Sequence, residues 1–176
     1  MVYKTFLIEP SERYIDSFQN MADEFERQGE ENAELYKASL QDFTKYVSML
    51  KDYARGINLP DGWVPCHTYW LADDSNQVLG VVRIRTRLTS EYLESVGGNI
   101  GYDISPLFRR MGLGTQILKL ALEKAKSLDF DKILVTCDHE NIASRKIIEK
   151  NGGVFESEIV DKTTGNIVRR YWFDFI

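Results

Sequence analysis

The stretch Ile104-Ser105-Pro106-Leu107-Phe108-Arg109-Arg110-Met111-Gly112-Leu113-Gly114-Thr115 constrains this chain more than any other part of it. An apolar run stops at a proline, a basic pair follows, and two glycines open a long helical pattern. Proline cannot donate to a sheet ladder, so a strand ends there. Glycine lets a ligand approach the backbone closely, and a helix start offers unpaired N–H groups at the positive end of its dipole. Such a turn is an anion cradle, most naturally for a phosphate or pyrophosphate, with Arg109 and Arg110 adding charge. A plain helix start whose glycines serve packing is the alternative. Two known phosphate loops are excluded. No Gly-Lys-Ser/Thr occurs anywhere, and the third glycine of a dinucleotide fingerprint is replaced by Ile117.

The rest of the chain surrounds this turn with alternating periodicities. Val2 to Ile8 predicts a strand, and Glu9-Pro10-Ser11-Glu12 a helix start. Tyr14, Ile15, Phe18, Met21, Ala22 and Phe25 recur at helical spacing up to Arg27. A second helical stripe runs through Leu35, Ala38, Leu40, Phe43, Tyr46, Val47, Leu50, Tyr53 and Ala54. Cys66–Ala72 and Val78–Arg87 predict a hairpin, Leu88–Gly98 a loop, and Asn99–Ser105 a strand. Helices follow over Gly112–Leu128 and Ile142–Lys150, with the apolar strand Ile133–Cys137 between them. Strands Val154–Val160 and Asn166–Phe175 close the chain. The predicted order is βααβββαβαββ: an α/β fold, a mixed sheet with helices on its faces. The two early helices are cover for the sheet, and the loop between them is a candidate wall of a substrate site.

Composition narrows the class of activity. The 176 residues fit one domain, 1–176, able to bury roughly 70% of its unfolded surface. Lys+Arg number 22 against 27 Asp+Glu, a net charge of −5, which disfavours general nucleic-acid binding. No apolar run is long enough to span a membrane, and the N-terminus does not make a secretory signal. Cys66 and Cys137 cannot make a disulfide framework or a zinc cluster, so a cytoplasmic location is expected. His67 and His139 have no second ligand at metal spacing; surface or packing roles are expected, and no metal. Cys137 lies inside the apolar run ILVTC and predicts a core thiol, not a nucleophile. Trp63, Trp70 and Trp172 are expected in the core and at its rim.

Arg109-x-x-Gly112-x-Gly114 resembles the [QR]-x-x-G-x-[GA] signature of the GNAT superfamily of acetyl-CoA-dependent N-acetyltransferases. The match is specific because of its context, after the fourth strand and opening the third helix of that family. Asn141, Ser144 and Gly152 in DHENIASRKIIEKNGG also fall at the family's spacing. The resemblance covers the whole element order and is densest over residues 99–153, the expected cofactor core. It implies a GNAT-type, mostly antiparallel central sheet flanked by helices on both faces.

The same resemblance implies acetyl-CoA as donor and direct transfer of acetyl to a primary amine. The backbone from Tyr102 to Ile104 would pair with the pantetheine arm, and strand N–H groups near Tyr102 would steady the oxyanion. The N–H groups of Arg110, Met111, Gly112, Leu113, Gly114 and Thr115 would hold the pyrophosphate. Asn141 and Ser144 would line the path of the pantetheine arm, although Asn141 also suits an ordinary N-cap. Asp138 is the candidate base, with Glu94 on the other side of the same opening; Asp138 equally suits an exposed turn. Ile148 stands where many members carry a tyrosine that protonates the departing thiolate, leaving water or Tyr102 for that task. An idle acyl-CoA-binding module is the alternative function. A small-molecule or peptide amine is the expected partner, with no nucleic acid and no membrane; dimers are common among proteins resembling this one.

Overall fold

The computed structural model describes residues 4–175. Among them, seven strands form one sheet in the order β1-β2-β3-β4-β5-β7-β6. These are β1 (Thr5–Ile8), β2 (Cys66–Asp73), β3 (Val78–Arg85), β4 (Ile100–Ile104), β5 (Lys132–Asp138), β6 (Val154–Val160) and β7 (Ile167–Asp174). Val2 and Tyr3, the start of the first expected strand, lie outside the described residues. Every neighbouring pair is antiparallel except β4–β5. The helices are α1 (Ile15–Arg27), α2 (Lys37–Gln41), α3 (Phe43–Ala54), α4 (Leu113–Ser127) and α5 (Ile142–Lys150).

The expected second helix is two. At Asp42 the backbone is extended (φ −150°, ψ 95°), and its side chain accepts the Lys45 N–H at 3.0 Å. An aspartate so placed caps the helix that follows, which stops the one before it. The expected stripe holds along α3 but is displaced by one residue before and within α2. Tyr36, Ser39, Phe43, Tyr46, Val47 and Leu50 are buried, whereas Leu35 is half exposed. The loop before β4 contains one wide helical turn, Leu93–Gly97.

Two apolar cores lie on opposite faces of the sheet. On one, α1–α3 pack Phe18, Phe25, Tyr36 and Phe43 against Trp70 of β2. Phe18 and Trp70 are wholly buried, with ring centroids 4.4 Å apart. Each such side chain taken from water contributes roughly 1.5–3 kcal/mol. On the other face, α4 buries Leu113, Ile117, Leu118, Ala121 and Ala125 against Val82, Ile84, Ile133 and Val135. Side chains alternate along a strand. Ile100, Tyr102 and Ile104 of β4 therefore face α4, and Gly101 and Asp103 face α1–α3.

Candidate active site

The parallel pair β4–β5 is joined at a single register position, Ile100 opposite Val135. Asn99 secures this point: its N–H donates to Leu134 O at 2.7 Å, and its Oδ1 accepts the Leu134 N–H at 2.9 Å. Past it the strands part. Ser105 N–H reaches β3 by bonding Leu79 O, so the alternating peptides of Tyr102 and Ile104 turn their polar groups toward the gap. The sheet thus contains a seam with one polar strand edge along it.

At one end of that edge lies the glycine turn. Arg110 and Gly112 both have positive φ (62° and 80°). A backbone that alternates into the left-handed region turns successive N–H groups to one side, a concave anion site. From Arg110 to Thr115, no N–H donates to a protein acceptor among the described residues. Gly112 sits just before α4 with open space around its Cβ position. Gly114 is different. A Cβ there would collide with Ile147 Cδ1 of α5, so this glycine serves helix packing as well as the turn. The arginines also divide their work. Arg109 forms a bidentate pair with Glu30 (2.5 and 2.6 Å), and its Nε donates to Ile104 O, which holds the turn against the seam. Arg110 is exposed and makes no ion pair among the described residues, so its charge is free for an anion.

Beneath the seam on the α4 side lies the Tyr102 hydroxyl, buried and without a hydrogen-bond partner. Burial pushes its pKa up to about 12; the nearby Ser144 hydroxyl pulls the other way without a well-formed bond. Asn141 caps α5 by accepting the Ser144 N–H at 3.0 Å, so the expected cap is present beside any second role. Ile148 is wholly buried in the α4-side core, at the position where the resemblance would place a tyrosine. Cys137 is buried and burial raises its pKa to about 11, as suits an inert thiol.

Asp138 ends β5, three residues past the Ile100–Val135 position, and Tyr102 and Asp103 stand two and three past it on β4. Asp138 is exposed and shares its face with Leu134 and Thr136, the α1–α3 side. Glu94 is exposed on the turn before β4, where Arg170 binds its carbonyl. His139 Nδ1 meets Glu158 at 2.8 Å. His67 stacks on Tyr69 in a separate hollow of about 430 Å³ near Glu9. No metal-binding group of His, Cys, Asp and Glu occurs among the described residues.

The α1–α3 face holds what the sequence did not reveal. A cleft of about 590 Å³ has Arg83 and Arg85 of β3 on its floor beside Cys66 and Thr68 of β2. Tyr53, Trp63, Tyr92 and Leu93 form its walls. Arg83 lies directly opposite Gly101, which joins the floor to the seam. Asp103 accepts from Arg83 Nη1 at 2.9 Å and from the Tyr36 hydroxyl at 2.6 Å, and Asn32 also donates to it. Arg83 Nη2 donates to Tyr36 at 2.7 Å. Burial pulls the Arg83 pKa down, but Tyr36 and Asp103 outweigh it and raise it above the usual arginine value. A buried pair stripped of one partner costs about 3–5 kcal/mol, so this network braces β3, β4 and the segment before α2. The alternation Arg83-x-Arg85 on one strand face was the available hint.

Three phenols make the fold sensitive to alkali. Burial holds Tyr36 well above 10 and pushes Tyr46 and Tyr102 up to about 12. Their stabilising contribution is complete below the unfolded value of about 10 and is lost as pH rises toward 12. The unfolding free energy from urea titration should therefore fall between pH 9 and pH 11.5, by on the order of 2 kcal/mol each for Tyr46 and Tyr102. Tyr46→Phe should make that decline shallower, and an equally steep decline would contradict the assignment.

A split parallel pair over a helix-capped anion cradle is the architecture of an acyl-CoA-handling transferase. The family model for the acetyltransferase (GNAT) domain matches residues 11–154. The chain belongs to the GNAT acetyltransferase family and uses acetyl-CoA. Solved structures share the fold at low identity. Mycobacterium smegmatis RimJ, in complex with CoA-disulfide, superposes with a TM-score of 0.72 at 16% identity, covering 97% of this chain and 82% of that one. An acetyltransferase from Salmonella typhimurium that modifies the N-terminal serine of a 50S ribosomal protein gives 0.67 at 14%, covering 98% and 95%. A spermidine N-acetyltransferase chimera of Vibrio cholerae SpeG and hSSAT gives 0.65 at 15%, covering 97% and 95%. No protein of curated function matches the chain in sequence.

Proposed function

We propose that this protein transfers acetyl from acetyl-CoA to a primary amine by direct attack, with the two reactants entering the seam from opposite faces. The observation that carries this reading is the seam itself, with free N–H groups at one end and a cleft on the other face. Acetyl-CoA, when bound, supplies the activated acyl group as a thioester. Residues Arg110 to Thr115 hold its pyrophosphate, with Arg110 as the free cation. The Tyr102–Ile104 edge takes the pantetheine arm as an added strand, past Asn141 and Ser144. The Tyr102 N–H faces the oxygen on which charge grows.

Asp138, on the lip of the seam and on the cleft side, accepts the amine's proton directly or through a water. Tyr102 stays neutral at ordinary pH and donates a proton to the departing sulfur. A thiol of pKa about 8.5 already leaves tolerably, so this donor is worth less than the base. Tyr102→Phe should lower kcat about tenfold with acetyl-CoA affinity held. A rate equal to the parent's would return the task to solvent. Two free thiols and the absence of a membrane-spanning helix among the described residues support a cytoplasmic enzyme. The deciding experiment pairs acetyl-CoA calorimetry with thiol release across an amine panel. Transfer supports the assignment, and binding without turnover on any amine marks an idle acyl-CoA module.

A further inference from the structure

We infer that the acceptor is a primary amine that also bears a carboxylate, with an aromatic or branched apolar side chain, and that Arg85 receives the carboxylate. This rests on the acetyltransferase reading and adds the substrate class to it. The argument is one of charge accounting inside the cleft. Its ionisable lining side chains are Glu34, Arg83 and Arg85, with the phenols and the Cys66 thiol neutral. Glu34 is mostly exposed and is taken by Lys37 at 2.8 Å. Arg83 is neutralised by Asp103. Arg85 forms none of the ion pairs found among the described residues; its Nη1 donates only to the carbonyls of Gly97 and Gly98, both at 3.2 Å. Among its lining side chains the cleft therefore carries one unmatched positive charge on its floor and no unmatched negative one, while Asp138 stands outside that lining, on the lip of the seam.

That balance is wrong for a polyamine, whose second ammonium would meet a guanidinium in a half-enclosed space. It is right for an anion, because a guanidinium offers paired donors that fit a carboxylate. The position fits too. A Cβ built on Gly101 would have Arg85 Nη1, at 3.9 Å, as its sole neighbour within 4 Å. A carboxylate on Arg85 thus rests above open space over Gly101, and an amine one carbon away lies beside the Tyr102 peptide, where the seam begins. The Tyr53–Trp63 pair, with centroids 5.7 Å apart, and Tyr92 then face the remaining side chain. Trp63 and Tyr92 are more than half exposed, surface that an apolar group would cover.

Matched ligands test this. Phenylalanine, phenylalaninamide and phenethylamine differ in the carboxylate but keep the ring and the amine, and spermidine represents polyamines. Steady-state rates with acetyl-CoA should favour the acid over its amide by at least about 30-fold in kcat/KM, chiefly through KM. In Arg85→Gln the acid-to-amide ratio should collapse toward one, and Arg85→Lys should keep part of it. Calorimetry of the same ligands on CoA-saturated protein should show the same order, independently of turnover. Equal treatment of acid and amide, or a preference for spermidine, overturns the inference and leaves acetyl transfer standing. Failure to bind acetyl-CoA, with acids still favoured over amides in the cleft, overturns the transferase reading instead.

Discussion

Gly112→Asp is expected to weaken acetyl-CoA binding at least a hundredfold, with the folded protein retained. The reasoning is steric and electrostatic at once. Gly112 has φ +80°, and the space around its Cβ position is open, so the Cβ of an aspartate meets no protein atom within 4 Å. Aspartate tolerates the left-handed region better than most residues, so the cost to the fold is about 1 kcal/mol. The new carboxylate would stand among the N–H groups proposed to hold the pyrophosphate and repel it. Calorimetry with acetyl-CoA, alongside a melting curve, checks both halves. Affinity near the parent's would remove the phosphate from this turn. Gly114→Asp is a less clean test, because a Cβ there collides with Ile147 Cδ1, a side-chain end on α5 that would have to shift.

Asp138→Asn should lower the rate at saturating acetyl-CoA by about 10²–10⁴, the span of a lost general base. The substitution keeps size and shape, and acetyl-CoA affinity should hold. The deficit should shrink as pH rises toward the acceptor's own pKa, because more of the amine then arrives neutral. Glu94→Gln is the parallel control from the other side of the opening. A deficit equal at every pH would make Asp138 a positioning residue, and no deficit would leave it an exposed strand end.

The parts of this protein governed by local physics were legible in its sequence. Helix α5 begins and ends where its N-cap Asn141 and the Asn151-Gly152-Gly153 run place it. The glycine turn was visible because positive φ and helix starts have residue preferences of their own. The break at Asp42 was hidden by an apolar stripe that continues across it in sequence although not in space. Moving the buried stripe from Leu35 to Tyr36 turns it by about 100°, and only packing against Phe18 and Phe25 of α1 decides which is right. The cleft was illegible for a stronger reason. Arg83 meets partners 20 and 47 residues away, and whether Arg85 goes unmatched depends on every acid that fails to reach it.

The two cores differ in how much chain each requires. The one under α1–α3 is complete between Phe6 and Val81, whereas the one under α4 draws on residues from Leu7 to Phe175. A chain leaving the ribosome can therefore close its first core with less than half of its length made, since N-terminal units generally fold first during synthesis. The α1–α3 face of the first three strands then exists as a formed surface before β5 is translated. The seam is what the late half adds, as β5 arrives beside a strand already committed to β3.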